Sequence, residues 1–581
     1  MSSAGYPYLQ REAWERFRDR IPHLFQRGLA VYRTVEKLEK KIENGGLDEP
    51  ERDNISKACR VARQVLFTAT ITAPPDLWLM RHVLGYFDEL GLTDRLLKGG
   101  AIYPGSCDIA HDGARVRLDA DELQRDLHFL LARGLVEQYD NSFRIAGHPR
   151  VHTIFAKLGP IPNAVPIPMT PVWRRLFDDG GIDDDDRRAI SALGQGLETP
   201  DNDRQNHWIP TLREIRTGYR LLPVVLALRA EELNFELDRG DTISPTDWSD
   251  DEPELVLQAM RLLEASGWLE RVGEDFRVTA IGARGFARGP GPFGIIETYN
   301  SYMKHGANLL LGNGDDVWVD RSKNVGASRD ANRKTFQRAN DNLDRFCEET
   351  GFEFSVFIEH AIGHGEATRQ RYERSGDEEI DYVGADLEDA AIDAAEAEKK
   401  KGTLPPNMTF VRNADIGEPD VLLQALRERG VDSNGAVMMV GNGFHEIRNR
   451  DDDNMVGVFQ TYHDAGILLL FTEANALLVD DLRATAWNTY HAGFTFVHEK
   501  SGQNLRPAER RGKPRLGEKL RASWNECARR AGYVRAHDYC RRSRTIYPYT
   551  PDDGHNPSIS VNHFFVPRQI ADELGLEIAV D

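Results

Sequence analysis

The chain is 581 residues long, 40% hydrophobic and 29% charged, with a formal charge of -20 from 73 Lys and Arg against 93 Asp and Glu. At about 150 residues per domain this length suggests three or four compact units, and so acidic a balance repels polyanions, which counts against bulk nucleic-acid or anionic-membrane binding. Five scattered cysteines, Cys59, Cys107, Cys347, Cys527 and Cys540, form no Cys-x-x-Cys pair, which excludes a disulfide scaffold or a zinc ribbon.

The opening Met1-Ser-Ser-Ala-Gly-Tyr6 lacks a basic region followed by an apolar run, and the longest apolar stretch, Ile467 to Phe471, is too short to span a bilayer, so a cytoplasmic protein is expected. Trp14, Phe17, Ile21, Leu24 and Phe25 recur at helical spacing, and Lys37 to Glu43 reads as a solvated helix face. Two later segments repeat one another. Leu130 to Glu137 followed by Asn141 to Ala146 parallels Leu262 to Glu270 followed by Glu274 to Thr279, with Gly134 and Phe143 answered by Gly267 and Phe276. Each predicts a helix closed by a glycine cap and then a short hairpin, the helix-and-wing half of a winged helix. The helices open on Leu118-Asp-Ala-Asp-Glu122 and Ser249-Asp-Asp-Glu-Pro-Glu254, whose acids would face phosphates with like charge, so dimerisation or a substrate lid is the preferred reading over DNA binding.

From about Phe352 apolar runs alternate with helical stretches. Strands are predicted at Phe354 to Glu359, Asp381 to Asp386, Met408 to Val411, Gly435 to Val440 and Gly466 to Thr472, with an antiparallel strand at Ser558 to Val566. The first ends in Glu359-His-Ala-Ile-Gly-His-Gly365, where Ala361, Gly363 and Gly365 let the backbone turn tightly beside a ligand. About twenty residues later Asp386, followed by Leu387, can take ribose hydroxyls, and at the third strand end Asp415 and the Ile416 amide can read an adenine edge.

These residues resemble the nucleotide-binding motifs of class I S-adenosylmethionine-dependent methyltransferases, over roughly Gly351 to the C-terminus. The resemblance implies an α/β fold, a Rossmann-like doubly wound methyltransferase sheet preceded by a mainly α-helical, double winged-helix region, with S-adenosyl-L-methionine held by Glu359, Ala361, Gly363, Gly365, Asp386, Leu387, Asp415 and Ile416. The expected boundaries are a helical segment at 1–72, winged-helix-like repeats at 73–150 and 206–290 around a linker at 151–205, a connector at 291–345 and the methyltransferase domain at 346–581. Asn324, Ser328 and Asn332 in the connector are candidates to close over the cofactor or are simply solvated.

A narrower resemblance, to the AprA-like (apratoxin-type) polyketide-synthase methyltransferases, rests on Val437 to Arg448 with His445 and on Gln460 one helix later. It implies carbon methylation of an acyl unit on a carrier protein, with His445, Gln460 and Asp415 as ligands of a mononuclear Fe(II) or Mn(II), although Asp415 is wanted first for adenine. Without a metal, His445 or His498 would be the general base of an O- or N-methyltransferase; a winged-helix ligand-sensing regulator is a further alternative. His491 and His498, alternating with aromatics, either line the substrate pocket or sit on a strand, and the basic run Leu505 to Arg515 is either a dock for an acidic acyl carrier protein or a solvated loop. No nucleic-acid or membrane partner is expected; a homodimer is.

Overall fold

The computed structural model describes the chain apart from residues 1–8, 46–47, 162–169, 179–180, 195–206, 236, 315–316, 318, 320–321, 377–378, 449–450, 510–511, 543–545, 550–556 and 577–581, and apart from the side chains of 193–194 and 322–332. It divides into two compact units. The first comprises 1–319 with 479–497 and 546–557; the second comprises 320–478 with 498–545 and 558–581. Among the described residues no helix is long and apolar enough to cross a membrane.

The first unit is mainly helical. Trp14 is buried in Arg11–Arg20, and Lys37 to Glu43 lies on the largely exposed end of Phe25–Asn44. The expected boundary at 72/73 falls inside the 41-residue helix Glu49–Glu89. The repeated pattern is a repeated structure: helix Ala120–Ala132 precedes the hairpin Val136–Tyr139 and Ser142–Ile145, and helix Pro253–Ala265 precedes the hairpin Leu269–Val272 and Asp275–Val278. Gly134 and Gly267 close the helices at φ 76° and 74°, in the left-handed region where a Cβ is costly. Packing adds to that requirement, since a Cβ on Gly134 would stand 2.8 Å from the Trp208 ring. Phe143 and Phe276 are fully buried.

The second unit is built on an eight-stranded, mostly parallel sheet. Its parallel strands are β1 (Val356–His360), β2 (Asp381–Ala385), β3 (Thr409–Val411), β4 (Val437–Gly441) and β5 (Leu468–Ala474). They are followed by β6 (Tyr533–Arg535) and β7 (Ser560–Pro567), in the order β3-β2-β1-β4-β5-β7-β6. β7 runs antiparallel to β5 and β6, and the short strand Arg541–Arg542 also pairs with it. All five parallel strands lie where the apolar runs predict them. Strand alternation sends Ile358, Met438, Val440, Leu469 and Phe471 to one face and Phe357, Met439 and Leu470 to the other. Helices Pro419–Glu428, Asp452–Asp464 and Trp524–Arg530 cover the first face; Ser322–Thr350, Asp389–Lys400 and Arg568–Glu573 cover the second. Helices on both faces make the sheet doubly wound, and its order changes direction between β1 and β4, which leaves a crevice at their carboxyl ends. The expected boundary at 345/346 falls inside Ser322–Thr350.

Candidate active site

β1 delivers Glu359 into the fold. Its carboxylate accepts the backbone N–H groups of Ala367 (3.1 Å) and Thr368 (2.7 Å) and the Thr368 hydroxyl (2.6 Å), so it caps helix Glu366–Ser375. Burial pushes its carboxyl up to about 7. Next to it His360 accepts the Ala361 N–H at Nδ1 (3.0 Å), which leaves the proton on Nε2, a buried nitrogen with no partner among the described residues. Burial lowers that imidazole to about 3 and keeps it neutral. Ala361, Gly363 and Gly365 all turn left-handed, at φ 56°, 51° and 74°. The sequence reading that Ala361 merely replaces a glycine by a small residue is therefore incomplete: its Cβ sits where an L-residue is strained by about 1–2 kcal/mol.

Asp386 ties this loop to the second strand end. Its carboxylate accepts the N–H of Gly363 (3.3 Å) and of Glu388 (3.0 Å), and burial raises its pKa above the usual range. Leu387 beside it is exposed. Asp415, half-buried at the third strand end, accepts the Gly417 N–H (2.7 Å), and Ile416 is buried with its carbonyl accepting the Tyr462 hydroxyl (3.2 Å). Main-chain bonds stitch the edge together: Ile362 N–H to Ala385 O (3.2 Å), Ala414 N–H to Asp386 O (2.9 Å) and Asn442 N–H to Thr472 O (2.8 Å).

His445 follows β4 on a short 3-10 turn and is 3% exposed. Its Nδ1 lies 2.6 Å from Oε2 of Glu473, a residue of β5 with no exposed surface, and the other Glu473 oxygen accepts the Phe444 N–H (2.7 Å). An imidazole whose Nδ1–H binds a carboxylate keeps Nε2 as its basic nitrogen; that atom is 3.7 Å from Glu446 Oε1. His498, also buried, packs its ring 5.1 Å from that of His445 at 54°. Sequence reasoning missed Glu473, although an acid closing the apolar run Leu468 to Phe471 is the signal that marks it.

Other expectations change. His491 and His498 belong to the helix His491–Lys500 rather than a strand, and His491 lies in the first unit, 3.1 Å from the Thr489 hydroxyl. Gln460 is exposed on its helix whereas His445 is buried, and among the described residues no group of three or more His, Cys, Asp or Glu could hold a metal ion. The set His445, Gln460 and Asp415 does not fit an Fe(II) or Mn(II) centre. The basic run is not uniformly exposed: Arg506 is fully buried, ion-paired to Asp452 and donating to the Ala522 carbonyl (3.0 Å). The side chains of Asn324, Ser328 and Asn332, and residues Arg510 and Arg511, lie outside the described residues.

No family profile and no curated protein matches this chain. Among solved structures it is similar to an O-methyltransferase family protein from Burkholderia thailandensis (17% identity, 60% of this chain and 95% of that one, TM-score 0.36). It is also similar to the citrinin polyketide synthase CMeT domain (14%, 70% and 98%, TM-score 0.31) and to the mitomycin 7-O-methyltransferase MmcR (13%, 61% and 96%, TM-score 0.35). At these TM-scores the likeness is loose.

Proposed function

We propose that this chain is an S-adenosyl-L-methionine-dependent methyltransferase of natural-product type that methylates carbon of a small acyl unit, with His445 as general base. The observation that carries this reading is the buried His445–Glu473 pair at the ends of β4 and β5, on the sheet edge that also holds the Ala361–Gly365 turn, Asp386 and Asp415. The donor set suits the cofactor. Two partly accessible carboxylates at successive strand ends match ribose hydroxyls and an adenine amine, and the left-handed turn brings backbone close to a ligand. When bound, the cofactor supplies an electrophilic methyl group on a sulfonium.

The chain's own residues then handle the proton. Glu473 holds Nδ1–H and stabilises the imidazolium, so Nε2 of His445 can accept a proton from an acidic C–H beside a carbonyl. The site lies at the carboxyl edge, where closing around the reactants fixes attack geometry, the main contribution a protein makes to methyl transfer. A hydroxyl or amine acceptor would use the same base, and product analysis separates those outcomes. We read the two helix–hairpin units as winged-helix-like dimerisation modules. The acids in the first turns of Ala120–Ala132 and Pro253–Ala265 disfavour the regulator alternative.

Titration calorimetry with S-adenosyl-L-methionine on wild type and Asp386→Ala tests the reading. Micromolar binding to wild type is expected, weakened at least about tenfold in the variant by loss of a charge-assisted bond. No binding to wild type overturns the proposal.

A further inference from the structure

The segment from Asn504 to Trp524 leaves the edge of the sheet beside the dyad and returns to it. At its start Asn504 donates its backbone N–H to the His445 carbonyl (3.1 Å) and its side-chain amide to the Ile447 carbonyl (3.0 Å). At its return the Ala522 N–H donates to Asp452 Oδ2 (3.0 Å) and the Trp524 N–H to the Pro507 carbonyl (3.0 Å). Buried Arg506 joins the two ends through Asp452 and the Ala522 carbonyl. A stem closed in this way projects its tip from a defined place next to the catalytic edge.

The tip, residues 512–520, has a different character. Leu516 and Leu520 are 63% and 60% exposed, more than any other large apolar side chain among the described residues. Around them stand Lys513, Arg515 and Lys519 against one acid, Glu518, whose carboxylate accepts the Arg515 backbone N–H (2.6 Å). Lys513 and Lys519 are exposed, and neither pairs with an acid among the described residues.

We propose that this tip is the docking surface for an acidic protein that carries the methyl acceptor to the dyad, an inference that rests on the methyltransferase reading. In a chain of charge -20, a cationic patch beside the site steers an acidic partner to that place and away from the rest of the surface. Two leucines framed by charges form the apolar centre and polar rim of a protein interface. A membrane is the weaker match, because residues 508–520 contain no Trp, Tyr or Phe to sit at the headgroup level and Glu518 would enter an anionic surface.

The test uses the full chain and its variants Leu516→Ser/Leu520→Ser and Lys513→Glu/Lys519→Glu, with malonyl-loaded acyl carrier protein as macromolecular probe and free malonyl-pantetheine as small one. Salt-sensitive binding of the carrier to wild type is expected, weakened at least tenfold by either double variant, with turnover of malonyl-pantetheine within twofold of wild type. Equal carrier binding by wild type and variants, or none by wild type, overturns the proposal. So does binding to phosphatidylserine vesicles that the same substitutions abolish. Carrier binding is read without turnover, and S-adenosyl-L-methionine affinity is measured separately, so a wild type that holds the carrier but no cofactor fails the methyltransferase reading alone.

Discussion

Glu473→Gln separates the charge of the dyad from its shape. The wild-type carboxylate accepts on both oxygens, from the Phe444 N–H at 2.7 Å and from His445 Nδ1 at 2.6 Å. A glutamine of the same size has one acceptor and one donor. The Phe444 N–H is a donor only, so the amide oxygen must face it, and the NH2 group is left facing Nδ1. His445 must then accept at Nδ1 and carry its proton on Nε2, the atom that should be empty. Both hydrogen bonds survive in altered form, so the folded state loses only the charge assistance, about 1 kcal/mol. The rate loses general-base catalysis, about 10²–10⁴-fold, equivalent to about 3–5 kcal/mol of barrier. The assay is single-turnover transfer of a labelled methyl group from S-adenosyl-L-methionine to malonyl-pantetheine, with calorimetry of cofactor binding alongside. The expected result is a slow variant with cofactor affinity within twofold of wild type. A Glu473→Gln enzyme that turns over at the wild-type rate would refute the assignment of His445 as base.

Two further outcomes follow from the strand-1 edge. Ala361→Gly removes left-handed strain of about 1–2 kcal/mol and adds unfolded-chain entropy of about 0.5–1 kcal/mol, so a net gain of roughly 0.5–1 kcal/mol is expected in urea unfolding; a loss of stability would contradict the φ of 56°. Glu359 has its carboxyl pushed up to about 7 from 4.5, so its protonated form favours the folded state: the contribution is fully present below pH 4.5 and lost as pH rises through about 7. Glu359→Gln should flatten the fall in stability across that window, measured beside Asp76→Asn because Asp76 shifts in the same direction; an unchanged profile shows that Glu359 stays ionised on its three donors.

The parallel strands were legible because buried strands in a doubly wound sheet are short apolar runs closed by glycine or acid, as in Val437 to Gly441 and Leu468 to Ala474. Tyr533–Arg535 was not, since Tyr-Val-Arg ends on a charge and presents no apolar run. In the helix His491–Lys500 alternating His and aromatic residues imitate a period of two, so its sequence also suits a strand. The composition of Leu505 to Arg515 shows a basic run but does not reveal that Arg506 pairs with Asp452, 54 positions earlier in the chain. Glu473 escaped for the same reason: its role is defined by the histidine it meets from the turn after the neighbouring strand, a long-range fact.

The way His445 is brought to Glu473 can itself be tested. Ala361, Asn413 and Asn442 stand just beyond β1, β3 and β4 at φ 56°, 53° and 56°, a backbone state that non-glycine residues rarely hold and that clusters at functional sites. The last of these opens the turn Asn442-Gly-Phe-His445, and Gly443 has φ -100°, which any residue adopts. A Cβ there, however, would stand 2.7 Å from Val440 Cγ1 and 3.3 Å from both Ala361 Cβ and Ile416 Cδ1. Gly443→Ala therefore adds no torsional strain and only pushes the turn outward, carrying His445 two residues later away from a carboxylate held in β5. Displacement on the order of 1 Å lowers rates about 10²-fold without removing any functional group. The expected variant binds S-adenosyl-L-methionine, keeps its far-UV circular dichroism and loses kcat. Full activity in Gly443→Ala would show that close packing of this turn does not position the base.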